Sequence, residues 1–76
     1  MKELVEVLAK FLVDKPDEVE VREFQDDKGV VVELKVAPED MGRVIGRQGK
    51  VARAIRALAK AKAAKVGTKV LVEIVS

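Results

Sequence analysis

Val44-Ile45-Gly46-Arg47-Gln48-Gly49-Lys50 sets two glycines three positions apart, between an apolar pair and a long basic segment. Glycine at both ends of a four-residue turn keeps Cβ atoms away from an approaching group and permits positive φ. Arg47 and Lys50 add charge. The second glycine stands at the start of a predicted helix, whose free N–H groups and partial positive charge favour an anion. The stretch reads as a turn prepared for phosphate.

Downstream, residues 50–66 predict a helix. Alanine at 52, 54, 57, 59, 61, 63 and 64 gives high intrinsic propensity. Val51, Ile55, Leu58 and Val66 recur at helical spacing as a shallow apolar face. Arg53, Arg56 and Lys60 form a ridge continuing from Lys50, and Lys62 and Lys65 suit the negative helix end. Gly67 is the expected C-cap, and residues 68–75 alternate as a last strand. Upstream, Pro38-Glu39-Asp40 is a helix-entry signal for a short helix over 38–45, with Met41, Val44 and Ile45 as its buried edge.

Before that helix, residues 30–36 read as a strand with Val30, Val32, Leu34 and Val36 on the core face. Asp26-Asp27-Lys28-Gly29 is a turn, and residues 18–25 form the partner strand. Its alternation breaks at Glu23-Phe24, where a bulge or an early strand end is expected. Residues 1–13 predict an amphipathic helix with Leu4, Val5, Leu8, Phe11 and Leu12 on one stripe, and Pro16 makes residues 14–17 a linker. The order is α-β-β-α-α-β, an α+β domain with a three-stranded mixed sheet covered on one face by three helices.

Seventy-six residues make one domain, in which residues 1–25 supply the first helix and strand and residues 29–75 the core unit. The net charge of +2 hides a division. Residues 1–42 hold 6 Lys or Arg against 12 Asp or Glu, whereas residues 43–76 hold 9 against 1. Such asymmetry points to a polyanion-facing second half. With no His, no Cys and a single Ser, the usual nucleophile–base pairs cannot be assembled, and no catalytic residue, metal ligand, cofactor or small-molecule substrate is expected. A Walker-type phosphate loop fails too, because Val51 follows the lysine. Residues 1–13 lack a signal peptide's apolar run and no stretch reaches membrane-spanning length, so a cytoplasmic setting without membrane contact is expected.

The GxxG turn after Val-Ile, inside this order of elements, resembles the type II K-homology (KH) fold. The opening Met-Lys-Glu-Leu-Val, Leu12 through Val19, the 44–50 stretch and the closing Val-Leu-Val-Glu-Ile-Val resemble the KhpA family of small single-KH bacterial RNA-binding proteins. The likeness covers nearly the whole chain. It implies a groove for about four nucleotides of single-stranded RNA. In that groove Gly46, Arg47, Gln48 and Gly49 would clamp the backbone, and Arg43 and Lys50 would support phosphates. Arg53 and Arg56 would extend the basic ridge, and Val44, Ile45 and the strand ending at Val36 would form an apolar floor. The family also implies a homodimer, pairing with a larger KH-containing partner of the KhpB or Jag type, and post-transcriptional regulation or RNA chaperoning.

Phe11 and Phe24, the only aromatics, lie outside the motif, so a base-stacking platform is missing and weak, unselective binding is expected from one copy. Two other readings stand beside this one: a KH-fold protein-interaction module with little nucleic-acid binding, and a single-stranded DNA binder. The open, positive Arg47-Gln48 clamp argues against the first. For self-pairing, the short helix with its loop and the face carrying Val31, Leu71 and Val75 are the two candidate surfaces.

Overall fold

The computed structural model describes residues 1–45 and 49–75, so Gly46, Arg47 and Gln48 of the turn lie outside the described residues. Within them, the elements are α1 (Lys2–Leu12), β1 (Glu20–Asp26), β2 (Gly29–Lys35), α2 (Met41–Ile45), α3 (Lys50–Lys65) and β3 (Val70–Val75). Short 3₁₀ turns at Pro16–Glu18 and Pro38–Asp40 precede β1 and α2. The sheet order is β1-β2-β3, with β1 antiparallel and β3 parallel to the central β2. This is the expected mixed sheet under three helices.

Alternation along β2 decides which face is covered. Val30, Val32 and Leu34, with Val36 just beyond the strand, point into one core with Val5, Ala9, Val21, Val44, Ile55, Ala59 and Val72. Successive side chains of a strand point to opposite faces, so Val31, Glu33 and Lys35 lie on the open face of the sheet. Across that face Arg22 stacks its guanidinium 5.2 Å from the centre of the Phe24 ring.

No bulge interrupts β1: its register with β2 runs unbroken from Glu20↔Lys35 to Asp26↔Gly29. The polar residue that breaks the alternation is Glu23, on the same side as Val21, and it has a partner there. Its Oε1 accepts a hydrogen bond from the Lys2 backbone N–H at 2.9 Å. A carboxylate thus satisfies a free donor at the positive end of α1, and the strand stays regular.

Two apolar assignments shift with the true helix faces. The buried side of α1 is Val5 and Ala9, flanked by Met1, Leu8 and Leu12. Phe11 stands about 140° round the helix from the Val5–Ala9 centre and is 87% exposed. On α3 the buried residues are Ala52, Ile55, Ala59 and Ala63, while Leu58 is 49% exposed and Val66 is exposed. Three of the four are alanines, which let the helix lie close on β3. The helix ends as expected, with Thr68 N–H donating to the Ala63 carbonyl and Gly67 N–H to that of Ala64, the paired bonds of a Schellman cap.

Asp40 does more than complement a helix dipole. It is the one buried charged side chain among the described residues, 2% exposed. Its two carboxylate oxygens accept the backbone N–H groups of Asp14 (3.2 Å) and Lys15 (3.0 Å). Flanking this bond, Lys15 pairs with Glu39, and Arg43 donates to the Asp14 carboxylate at 3.0 Å. The linker over residues 14–17 is therefore stapled to the entry of α2.

Candidate nucleic-acid interface

The described flanks of the turn are two helices of unequal strength. Five-residue α2 is too short to persist alone, so burial holds it: Val44 is fully enclosed and Met41 half-buried against the core. Val44 is thus the anchor of α2 in the core and presents no surface to a ligand. Ile45 was expected on the same buried edge but is 42% exposed, next to the turn. On the far side, Gly49 takes the left-handed φ of +70° at the N-cap of α3, with nothing among the described residues near the position a Cβ would fill. Its backbone angle, not crowding, makes glycine suitable there.

Lys50 opens α3 and is exposed, as are Arg53 and Arg56. Arg56 leans to the outer side of β3, where its Nε donates to the Val72 carbonyl at 3.2 Å. The Lys69 and Val75 carbonyls accept the N–H groups of Val30 and Val36. By the alternation of a parallel ladder, the peptide groups of Val70, Val72 and Ile74 then point away from the sheet. The free strand edge beside α3 is therefore that of β3. The β2 strand is central and Val36 is closed into the core, so the floor expected from Val36 is not available to a base.

Charge is segregated in space as in sequence. In residues 1–42, Lys10 pairs with Glu6, Lys15 with Glu39 and Glu18, Arg22 with Glu33 and Lys35 with Glu20, while Arg43 of the basic half reaches back to Asp14. Lys50, Lys60, Lys62, Lys65 and Lys69 have no ion-pair partner among the described residues. Arg43 stands apart from this group, because its guanidinium already holds Asp14. An external phosphate would compete with that exposed carboxylate, a contact of about 0–1 kcal/mol.

Of the ten residues singled out from sequence, Ile45, Gly49 and Lys50 adjoin the turn in the chain, Arg53 and Arg56 lie exposed further along α3, and Val44 is closed into the core. Arg43 sits at the α2 entry; Gly46, Arg47 and Gln48 are outside the described residues. Sequence reasoning missed the Asp14–Asp40–Arg43 cluster, whose partners lie more than 20 positions apart. No three His, Cys, Asp or Glu side chains among the described residues are placed to hold a metal ion. Nor is any described helix long and apolar enough to cross a membrane.

Residues 2–74 match the family described as KhpA/KhpB, KH domain. The chain is 57% identical over 75 residues to the RNA-binding protein KhpA of Clostridium perfringens, covering 99% of this chain and 100% of that one. It is 47% identical to the RNA-binding protein KhpA of Aquifex aeolicus (97% and 94% covered). With that of Listeria monocytogenes the identity is 43% (99% and 99%). The α-β-β-α-α-β order and the glycine turn thus sit in a full-length likeness, and the chain belongs to the KhpA/KhpB family of KH domains.

Proposed function

We propose that the chain binds short single-stranded RNA by its backbone at the 46–49 turn, with little sequence preference, and acts as a post-transcriptional regulator or RNA chaperone in the cytoplasm. Gly46, Arg47, Gln48 and Gly49 hold about four nucleotides. Lys50 and Arg43 contact phosphates, Arg53 and Arg56 carry the positive surface along α3, and Ile45 offers the apolar contact. The observation that carries this reading is the left-handed Gly49 leading into a helix with six Lys or Arg and no acid in its 16 residues. The relatives' printed names, which describe RNA-binding proteins, point the same way.

The absence of stacking aromatics makes one groove weak, so two linked grooves give useful avidity. Self-pairing, or pairing with a larger KH-containing partner of the KhpB or Jag type, belongs to the proposal. Exposed Val7, Phe11, Leu58 and Val66 on the helical side, Ile45 at the end of α2, and Phe24, Leu71 and Val75 on the open sheet face are apolar groups available for it.

Fluorescence anisotropy with labelled oligouridylate and the matching DNA oligomer, beside a mass measurement of the free chain, tests the reading. Saturable RNA binding supports it. A chain that pairs with protein but binds neither nucleic acid favours the interaction-module reading.

A further inference from the structure

At the far end of α3 lies a shallow hollow of about 350 Å³ lined by Lys60, Ala63, Ala64, Thr68, Lys69 and Val70. That volume is within the range of small-ligand sites, about 300–1,000 Å³. Its floor is apolar, from buried Ala63 and half-buried Val70. Its rim carries Lys60 and Lys69, neither with an ion-pair partner among the described residues.

The hollow is on the side of α3 that faces the free edge of β3. Arg56 bonds the Val72 carbonyl, and Lys60, one turn further, stands beside Val70. Helix and strand run in opposite directions, so a path from Lys50 along Arg53 and Arg56 ends at the hollow. Lys50 to Lys60 spans ten helical steps, about 15 Å at 1.5 Å each. A stacked strand advancing about 3.4 Å per nucleotide covers that distance in roughly four to five nucleotides, just beyond a four-nucleotide clamp.

We propose that this hollow is a second subsite, which takes one further nucleotide of the same single-stranded RNA after it leaves the 46–49 clamp; this rests on the clamp reading above. Lys60 and Lys69 hold the phosphate, and Ala63, Ala64 and Val70 pack against the sugar and base. With no aromatic and no base-directed side chain in the floor, the subsite lengthens the footprint without selecting a base. An acidic protein segment is the other polyanion such a rim would attract, but the continuous line of cations from the clamp favours the RNA strand.

The test compares tetrauridylate with octauridylate on the ¹⁵N-labelled full chain. An octamer gains about fivefold from its extra registers on a four-nucleotide site alone, so the expected gain is larger, on the order of thirtyfold, with a salt slope steeper by about 0.7 for the one added phosphate. The amides of Ala63, Ala64, Lys69 and Val70 shift with the octamer only. Lys60→Gln/Lys69→Gln reduces the gain to the register factor and keeps tetramer affinity. Lys62→Gln/Lys65→Gln removes the same charge from the other flank of α3, about 200° and 140° round from Lys60, and keeps the gain.

A gain no larger than the register factor in the unaltered chain overturns the subsite while leaving the clamp intact. So does a gain that survives Lys60→Gln/Lys69→Gln, or one that Lys62→Gln/Lys65→Gln abolishes equally. Failure of both oligomers to bind overturns the clamp reading and the subsite with it.

Discussion

Replacing Asp40 with alanine removes the acceptor for two backbone N–H groups of the α1–β1 connection, those of Asp14 and Lys15. Hydrogen bonds to a charged group contribute about 1.5–3 kcal/mol each. Both amides are part-buried and regain some water when the carboxylate goes, which lowers the combined loss to about 2–4 kcal/mol. A domain of 76 residues has roughly 4–11 kcal/mol in total, so Asp40→Ala consumes a large share and lowers Tm by roughly 10–25 °C. Asp40→Asn keeps one acceptor oxygen but turns an amide NH₂ toward the second donor, and recovers at most about half of the loss. Urea unfolding followed by far-UV circular dichroism gives the difference directly, with an unchanged m-value showing that the same surface is exposed. A loss below about 0.5 kcal/mol would refute the reasoning, since these amides would then be served as well by water as by Asp40.

Three further outcomes are expected. Gly29→Ala destabilises by more than about 2 kcal/mol in the same assay, because φ is +141° and the added Cβ would stand 2.5 Å from the Lys69 carbonyl oxygen that Val30 N–H uses. Hydrogen bonding from Lys15 holds the Glu39 carboxyl below its usual range, and the same bond raises Lys15. A depressed acid contributes stability above its unfolded value and loses it as pH falls through the folded one. Tm of Glu39→Gln therefore lies below that of the unaltered chain at neutral pH, and the two converge in acid. For tetranucleotide binding, with about three or four phosphates engaged, log affinity against log salt slopes roughly −2 to −3, and a flat response excludes a phosphate-led contact.

The order of elements and the two faces of β2 were legible because apolar periodicity of two and of 3.6 is local. Glu23 shows how such a pattern misleads: the alternation breaks where a carboxylate serves the end of a helix 21 positions away, and a bulge is the local explanation for a long-range cause. Phe11 and Leu58 fail for another reason. Large apolar residues attract assignment to a helix face, yet alanines at 9, 52, 59 and 63, with Val5 and Ile55, fill the buried faces, because a close-packed interior takes small side chains where helix and sheet approach most closely. Glu39 and Asp40 looked alike as helix-entry acids, and only the fold separates the exposed partner of Lys15 from the buried staple. In the candidate site, the cations of α3 were readable as a run, but which of them flank β3 depends on helix phase and strand order.

The central claim is that RNA is held by its backbone at the 46–49 turn. Arg47→Asp/Gln48→Asp, assayed by anisotropy with an oligouridylate beside far-UV circular dichroism and melting, tests it most directly. The account predicts that RNA binding is lost while the spectrum and Tm stay nearly unchanged; unaltered affinity in a folded variant would contradict it.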